Sequence, residues 1–369
     1  MRQAAFALLA LLAGCATQKE TAVRWGTLDG KAPLIIAHRG ASGYLPEHTL
    51  EAYGLAIEQG ADVIEPDLVF TKDGVLVARH DRYLGTTTNI ADKPEFADRK
   101  RANADPKTEA REDWWVEDFT LAEIKTLRAR QPFPGRTKEH DDKFAVPTFD
   151  EVLAFVTTKA TEAGRPVGVY PETKHPAFFA SIGHDFETPF LSALAGFNAG
   201  PVFIQSFEPE ILKRLKGKTS AKLVQLVFEK EPGAGPYIPL EEIATYADGV
   251  GAAKTLILAD TGVSTSLIRD AHVLGLFVHA WTFRNDMPSG AVEENRLQNE
   301  ERFRNLNEES GSLTGIVINL APPDWDAMGI EADLGEELRH FFGQSVDGVF
   351  ADFPDTARKA RELIRRTEE

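Results

Sequence analysis

The chain has 369 residues, of which 43% are hydrophobic, and its formal net charge is -16 at pH 7. A globular protein with one large core or two modest ones fits this composition, and a single α/β barrel with insertions fits the length. The acidic balance and the lack of a Lys/Arg-rich block argue against nucleic acid as a partner. An anionic substrate would be repelled by the overall charge, so local cations would have to attract it.

The N-terminus is typical of a targeting segment. Arg2 precedes an apolar run over residues 4–13, which is too short to cross a bilayer as a helix. The run ends in the sequence LAGC, which resembles the bacterial lipobox, and its Cys15 is the only cysteine of the chain. We predict a signal peptide over 1–14 and a lipid on Cys15. An ordinary cleaved signal peptide with an incidental cysteine is the alternative.

The residues after the predicted anchor divide into a tether and a folded unit. Residues 15–31 form a polar stretch that predicts the tether, and residues 32–369 hold the recurring apolar runs of a fold. Ala16, not an aspartate, follows the cysteine. We therefore predict a protein of the bacterial cell envelope that is bound to the outer membrane by its lipid and faces the periplasm or the cell surface.

Short apolar runs alternate with helical patterns through the folded unit. Strands are predicted at 34–38, 62–69, 167–172, 202–206, 222–228, 248–252, 276–282 and 346–351, and helices at 48–59, 149–163, 208–216, 240–247, 264–274 and 354–366. Apolar strands that alternate with helices predict a parallel sheet covered by helices, and eight such units predict a (β/α)8 barrel. An open doubly wound sheet is the alternative, but no Gly-rich phosphate-binding motif follows the first strand.

Three segments interrupt the alternation of strands and helices. The Asp-Gly pair at 73–74 predicts a hairpin whose second strand is antiparallel to the first. A two-residue turn would place His80 opposite Asp67, and a shift of one residue would place it opposite Glu65. The charged segments at about 82–146 and 286–330 are predicted to be insertions, the first of them a small cap.

Polar side chains stand at the ends of the predicted strands. In a parallel barrel, catalytic groups gather at the C-terminal ends of the strands, so we expect these side chains to meet on one face. They comprise two histidines, two cations and three carboxylates: His38, His80, Arg39, Lys174, Glu65, Asp67 and Glu172.

The three carboxylates predict a metal site. Glu65 and Asp67 are two residues apart on a strand and therefore point to the same side, and Glu172 adds a third oxygen donor. Such ligands suit Ca²⁺ or Mg²⁺, whereas Zn²⁺ would favour cysteines or closely spaced histidines. The alternative is that the carboxylates only form ion pairs with Arg39 and Lys174.

The two histidines beside this cluster are candidates for a general acid and a general base, because imidazole titrates near neutral pH. Arg39 and Lys174 supply fixed positive charge that, next to a divalent cation, suits an anionic phosphate. These residues together predict a site that binds an anionic phosphate next to an acid and a base.

Five segments carry a resemblance to a known family. They are HRGASGYLPEHTLEAY, GADVIEPDLVFTKDGVLVARHD, YPETKHP, FIQSFEPEIL and VDGVFADFPD. Together they resemble the glycerophosphodiester phosphodiesterases, most of all the secreted bacterial type that cleaves glycerophosphodiesters to sn-glycerol 3-phosphate and an alcohol. The resemblance extends from about residue 34 to 365 and implies a (β/α)8 barrel with a small insertion after the second strand.

The resemblance also implies roles for individual residues. It implies a Ca²⁺ site, with Mg²⁺ as the other candidate. The resemblance implies acid/base catalysis by His38 and His80, and metal binding by Glu65, Asp67 and Glu172. It also implies phosphate contacts by Arg39 and Lys174. Finally, it implies an apolar pocket at Phe207 and Trp281 and support of the first loop by Glu47. The chain has PEHT where the family has PENT more often, and we interpret His48 as a loop or helix-capping variation.

Two other functions fit parts of this pattern. The first is a phosphodiesterase of the same barrel superfamily that acts on membrane lipids, as a lysophospholipase D or a sphingomyelinase D does. Such an enzyme should expose an apolar rim, which the tryptophan pair at 114–115 could supply. The second is a non-catalytic surface lipoprotein that binds a ligand, but retention of all five predicted catalytic and metal-binding residues argues against it.

Overall fold

The protein is described by a computed structural model over residues 25–104, 111–259, 262–286 and 332–367. The predicted signal peptide, Cys15 and nearly all of the segment 286–330 lie outside these residues. Within the described ranges, none of the helices has the length and apolar character needed to cross a bilayer.

The core is built on one sheet of eleven strands, and a separate two-stranded sheet lies in the cap. In chain order the strands are β1 (Leu34–His38), β2 (Val63–Glu65), β3 (Asp67–Phe70), β4 (Leu76–Ala78), β5 (Arg101–Ala102), β6 (Glu112–Asp113), β7 (Gly168–Val169), β8 (Glu172–Thr173), β9 (Phe203–Ser206), β10 (Lys222–Val227), β11 (Gly249–Ala253), β12 (Phe277–Phe283) and β13 (Gly348–Ala351).

The large sheet closes into a barrel. Its strand order is β4-β3-β8-β9-β10-β11-β12-β13-β1-β2-β7, and all of its pairs are parallel except β3 with β4. β2 and β3 are two halves of one strand on either side of Pro66, and β7 and β8 are likewise halves of the next strand. The two ends of the order therefore meet, and eight parallel strands encircle the core. This closure confirms the predicted (β/α)8 barrel.

Helices follow the strands and cover the outside of the barrel, except α2, which lies in the cap. They are α1 (Leu50–Glu58), α2 (Leu121–Ile124), α3 (Phe149–Ala163), α4 (Pro176–Ser181), α5 (Glu187–Leu194), α6 (Pro209–Leu215), α7 (Leu240–Ile243), α8 (Leu267–Val273), α9 (Ala332–Gly343) and α10 (Pro354–Thr367).

The longest helix, α3, shows why these segments are helical. Thr148 and Glu151 form a reciprocal capping box at its start, and Gly164 ends it with a φ of 62°. Its buried residues recur at helical spacing, so one face packs on the barrel while the other stays polar. They are Phe149, Val152, Leu153, Val156 and Ala160.

The hairpin after β3 has a different register from either predicted one. Thr71 N donates to Val75 O at 3.0 Å, so the turn contains three residues rather than two. Asp73 stabilises this turn, because its Oδ1 accepts a hydrogen bond from Thr71 Oγ1 at 2.7 Å. The pairing of Leu68 with Ala78, continued along the strands, places His80 opposite Pro66. Both predicted partners of His80, one residue away on either side, were wrong.

The cap shares the core of the barrel. The chain leaves the sheet after β4 and returns at Thr148, which forms an isolated antiparallel β-bridge with Val77. Between these points lie β5, β6, α2 and three short 3-10 turns. Its apolar side chains belong to the same buried cluster as those of the barrel, so the cap is packed on the barrel as part of one core. They include Leu84, Ile90, Phe96, Val116 and Phe119.

Candidate active site

Three carboxylates from neighbouring strands meet at the top of the barrel. Glu65 ends β2, Asp67 begins β3 and Glu172 begins β8, and all three are buried. One oxygen of each side chain lies within 4.8 Å of the others. The parallel pairing of Asp67 with Glu172 fixes two of them side by side. The expected convergence of these side chains is therefore observed.

The charge in this cluster fits a divalent cation. Burial and repulsion from its neighbours raise the pKa of Glu65 well above its usual range, and they raise the pKa of Glu172 to about 8. Asp67 differs: burial opposes its ionisation, but Lys174 and a hydrogen bond from His48 hold its pKa well below the usual range. Asp67 Oδ1 has no hydrogen-bond partner among the described residues. A Ca²⁺ or Mg²⁺ ion would remove the repulsion and use this oxygen.

Two hydrogen bonds fix the carboxylate of Glu65. Gln205 Nε2, on β9, donates to Glu65 Oε1 at 2.9 Å, and the backbone N–H of Arg39 donates to Glu65 Oε2 at 2.8 Å. Arg39 can turn its N–H inward because its φ is 59°, in the left-handed region. The residue that follows β1 is thereby tied to the next strand.

His48 has a role in the site that differs from the predicted one. Thr49, not His48, caps α1, since its side chain accepts a hydrogen bond from Ala52 N. The imidazole of His48 is buried and bridges Asp67 Oδ2, at 3.0 Å from Nε2, and the hydroxyl of Tyr53, at 2.9 Å from Nδ1. Its interpretation as a capping variation was wrong, because the side chain points inward and holds a carboxylate of the acidic cluster.

The two predicted catalytic histidines each have a carboxylate partner. His38 Nδ1 lies 2.6 Å from Asp352 Oδ1, and His80 Nδ1 lies 2.7 Å from Asp81 Oδ1. Each carboxylate stays ionised: burial opposes this, but the histidine contact holds the pKa of Asp352 and of Asp81 far below the usual range. An ionised partner fixes the hydrogen on Nδ1, so Nε2 is the atom of each ring that can exchange a proton with a substrate.

Burial and nearby cations keep both imidazoles neutral. Burial, and then Arg39, lower the pKa of His38 to about 4. The pKa of His80 is lowered by burial and by Arg39 and Lys174. The His80 side chain is 31% exposed, against 12% for His38, so desolvation acts less on His80. Both rings therefore carry a free lone pair on Nε2 at neutral pH.

The two predicted phosphate-contacting cations also lie at the acidic cluster. Arg39 Nη1 donates to Glu47 Oε2 at 3.0 Å, a contact within the first loop, and Arg39 Nε lies 3.4 Å from Asp67 Oδ2. Lys174 Nζ lies 3.0 Å from Glu172 Oε1. The ion pairs of the alternative interpretation thus exist, but two cations face three carboxylates here.

Phe207 and Trp281 form an aromatic wall beside these cations. Their ring centroids are 5.9 Å apart at 86°, and Lys174 Nζ lies 5.8 Å from the centre of the Phe207 ring. Trp281 Nε1 donates to Gly251 O at 2.9 Å, which fixes the indole. The structure therefore brings every predicted site residue within the described part of the chain to one end of the barrel.

Several residues of the site were missed from the sequence. A polar residue inside an apolar strand was the available signal for Gln205 in FIQS, and a carboxylate directly after a strand was the signal for Asp352 in VFAD. Asp352 also accepts hydrogen bonds from Arg136 Nη2 at 2.6 Å and from Arg284 Nε at 3.1 Å. No sequence pattern marks Arg136, because it lies in a loop of the cap, far along the chain from its partner.

Histidines, cations and an acidic cluster at the C-terminal strand ends of a closed barrel form an arrangement that is typical of enzymes of the (β/α)8 class. The model of the glycerophosphoryl diester phosphodiesterase family matches residues 38–356. The chain belongs to this family and is a phosphoric diester hydrolase. The family recognised from the five sequence segments is thereby confirmed.

Curated relatives agree with this assignment. A glycerophosphodiester phosphodiesterase of Haemophilus influenzae is 32% identical over 346 residues, which cover 80% of this chain and 92% of the relative. One from Arabidopsis thaliana is 36% identical over 291 residues, covering 70% and 76% of the two chains. One from Treponema pallidum is 27% identical over 377 residues, covering 90% and 96%.

Solved structures show the same fold. A glycerophosphoryl diester phosphodiesterase from Silicibacter pomeroyi superposes with a TM-score of 0.58 at 18% identity, covering 92% of this chain and 98% of the other. A phosphodiesterase of Oleispira antarctica, in complex with its product sn-glycerol 3-phosphate, superposes with a TM-score of 0.56 at 18% identity, covering 91% and 99%.

Proposed function

We propose that this enzyme hydrolyses glycerophosphodiesters to sn-glycerol 3-phosphate and an alcohol. The carrying observation is the pair of imidazoles, each bound through Nδ1 to an ionised carboxylate, beside an acidic cluster at the mouth of the barrel. A phosphodiesterase of the same fold binds sn-glycerol 3-phosphate as its product, which supports this choice of product.

Glu65, Asp67 and Glu172 would hold the divalent cation, Ca²⁺ or Mg²⁺. The ion would draw negative charge from the phosphate oxygens and so assist attack on phosphorus. Arg39 and Lys174 would bind the remaining phosphate oxygens from the side. Both cations are already fixed by ion pairs, so little reorganisation is needed when an anion binds.

His38 and His80 would move the two protons of the reaction. One Nε2 takes a proton from the attacking oxygen, which is either water or the glycerol hydroxyl of the substrate. The other Nε2, protonated from solvent beforehand, gives its proton to the leaving alkoxide, and the proton taken by the base returns to solvent. If the glycerol hydroxyl attacks, the product of this step is a cyclic phosphate, which water opens in a second step to give sn-glycerol 3-phosphate. Asp352 and Asp81 hold the rings in the tautomer that leaves Nε2 available, and their negative charge stabilises an imidazolium when it forms.

The aromatic wall suits the glycerol side of a small substrate. Phe207 and Trp281 would contact its carbon atoms, while Lys174, next to Phe207, would bind the phosphate. Phe228 extends the wall, with its ring 6.0 Å from that of Phe207.

The contacts of the cap oppose action on membrane lipids. Trp114 Nε1 donates to Phe96 O at 2.7 Å, and Trp115 Nε1 donates to Arg101 O at 2.9 Å. Trp115 is only 2% exposed. The tryptophan pair that could have formed an apolar rim is therefore used inside the cap. The non-catalytic alternative is wrong, because the chain belongs to an enzyme family and has curated enzymes as relatives.

A substrate comparison tests this proposal. Glycerophosphocholine in solution and lysophosphatidylcholine in micelles carry the same head group, so choline release can be followed from both with one assay. We expect turnover of glycerophosphocholine with stoichiometric sn-glycerol 3-phosphate and little turnover of the micellar lipid. Faster release from micelles would replace the proposed function with that of a lysophospholipase D.

A further inference from the structure

One buried arginine of the cap contacts the loops that follow three of the barrel strands. The Arg136 side chain is only 2% exposed and contacts three separate parts of the chain. Its Nη1 donates to Ser42 O in the first loop at 3.1 Å. Its Nε and Nη2 donate to the two carboxylate oxygens of Asp286 at 2.7 and 3.0 Å, and Nη2 also donates to Asp352 Oδ2 at 2.6 Å. All of its nitrogens are therefore used.

Asp352 connects this arginine to a proposed catalytic ring. Its Oδ1 is the partner of His38 Nδ1, at 2.6 Å. Its Oδ2 lies between Arg136 Nη2 and Arg284 Nε, at 2.6 and 3.1 Å. A carboxylate whose second oxygen is bound to two guanidinium groups cannot rotate freely about its side-chain bonds. Oδ1 is thus held in the direction of the imidazole.

The cap segment that carries Arg136 is itself anchored on the loop that follows His38. Gln131 Nε2 donates to Ser42 O at 2.9 Å, and Ser42 Oγ donates back to His38 O at 2.8 Å. The guanidinium of Arg136 lies over the ring of Phe133, 4.2 Å from its centroid. The cap therefore holds both the backbone and the ring partner of His38.

We propose that Arg136 is a positioning residue for catalysis, which orients the His38 imidazole through Asp352. The cap insertion then completes the acid–base machinery of the barrel and does more than cover it. This inference rests on the proposed catalytic role of His38. Without Arg136, Oδ2 of Asp352 would keep, among the described residues, only the longer contact with Arg284, and the carboxylate could turn away from His38.

The loss should affect turnover more than substrate binding. Within the described part of the chain, the hydrogen bonds of Arg136 go to Ser42, Asp286 and Asp352, and none goes to the acidic cluster or to the two predicted phosphate-contacting cations. Groups that only orient a functional side chain typically contribute about 10- to 100-fold. We expect Arg136→Gln to lower kcat for glycerophosphocholine by about this factor.

Substrate affinity and a conservative variant give further readouts. KM should stay within about threefold of wild type, since the residues that would bind the substrate are unchanged. Arg136→Lys should restore part of kcat, because an ammonium keeps the charge but not the forked geometry. Arg130→Gln is the matched control. Arg130 lies in the same segment of the cap as Arg136, but it pairs with Asp142, at 2.8 Å, and not with Asp352.

A double-mutant cycle separates positioning from general loss of structure. If Arg136 acts through His38, adding Arg136→Gln to His38→Gln should cost little more than His38→Gln alone. Residual rates can be measured on a substrate with an activated leaving group, and thermal unfolding reports folding. If Arg136→Gln fails to fold, Asp286→Asn, which weakens only one partner of Arg136, should show a smaller fall in kcat in the same direction.

The outcomes distinguish this inference from the proposed function. If His38→Gln is nearly inactive while Arg136→Gln and Asp286→Asn keep wild-type kcat, the inference is wrong and the proposed function stands. Full additivity of the two substitutions in the cycle would also overturn it. If His38→Gln itself keeps a normal rate, the proposed acid–base role fails, and the inference fails with it.

Discussion

One of the imidazoles of His38 and His80 would act as the general acid and the other as the general base. Substrates with different leaving groups distinguish these two roles. His38→Gln and His80→Gln should each lower the rate on glycerophosphocholine by about 10²- to 10⁴-fold, the usual contribution of a general acid or base. On a p-nitrophenyl ester, whose leaving group hardly needs a proton, the variant without the acid should recover much of its rate. The variant without the base should not.

Kinetics with both substrates, for both variants, check this prediction. The pattern of recovery assigns the acid, which the geometry alone leaves open because both rings have the same kind of carboxylate partner. Near-normal rates of both variants on glycerophosphocholine would show that proton transfer by these residues does not contribute.

Metal binding can also be tested by substitutions of single residues. Glu65→Gln and Glu172→Gln each remove one anionic oxygen donor from the cluster. Loss of a residue that only orients a ligand weakens metal binding about 10- to 100-fold, so loss of a ligand should weaken it at least as much. Calorimetric titration with Ca²⁺ and Mg²⁺ measures this directly. Glu187→Gln is the control, because Glu187 is a half-buried carboxylate that pairs with Arg214 and is not part of the cluster.

Unchanged affinity in both cluster variants would exclude these residues as ligands. At this scale the carboxylate cluster was predictable, because strand-end carboxylates in a barrel share one face. His48 and Arg136 were not, since their partners lie 19 and 216 residues away, and a distance along the chain does not reveal a contact in space.

Among the strands, β12 carries a buried histidine that has no part in the proposed chemistry. His279 is 2% exposed inside the barrel, and its Nδ1 lies 3.1 Å from the Tyr170 hydroxyl. Burial lowers its pKa to about 4. The unfolded chain, with an ordinary histidine pKa, then binds more protons than the folded one between pH 6.5 and 4. The contribution of neutral His279 to the free energy of unfolding is therefore full above this pH range and is lost as the pH falls through it.

Urea unfolding at pH 7 and pH 5 tests this effect. His279 should account for about 2 kcal/mol of the stability lost between the two pH values. His279→Gln cannot titrate, so the difference between its two free energies of unfolding should be smaller by this amount. Equal differences in the variant and the wild type would show that His279 does not couple protonation to folding.

The elements themselves were largely predictable from the sequence. All eight barrel strands and the hairpin were expected, because apolar runs bounded by turn residues and an Asp-Gly pair are strong local signals. The register of the hairpin was not, since the side chain of Asp73 selects a longer turn. Helices α4 and α5 have 6 and 8 residues, too few for a helical period to stand out against the loops around them.

The whole molecule places its N-terminal segment and its site at opposite ends. Trp25 packs against Phe342 with ring centroids 6.3 Å apart, and Leu28 N donates to Asp347 Oδ1 at 2.6 Å. Asp347 directly precedes β13, so the chain approaches the N-terminal ends of the strands. The active site lies at their C-terminal ends. We propose that a lipid on Cys15 would anchor the chain ahead of Trp25, which lies on the side of the barrel opposite the site.

Detergent phase partitioning tests the proposed anchor. Protein expressed with its full N-terminus in a bacterium should partition into the detergent phase, and Cys15→Ser should move it to the aqueous phase, because an acylated cysteine supplies the membrane affinity. Both forms should hydrolyse glycerophosphocholine at the same rate. A Cys15→Ser protein that still partitions with detergent would contradict lipidation of this residue.

Release of sn-glycerol 3-phosphate from glycerophosphocholine, measured with and without a chelator, is the most direct test of the account as a whole. This assay tests both the proposed product and the proposed metal site at the three carboxylates. We predict release with Ca²⁺ or Mg²⁺, loss of release after chelation and recovery when the ion is added back. Undiminished release in excess chelator would contradict the metal site, and the absence of the product with every divalent cation would contradict the proposed reaction.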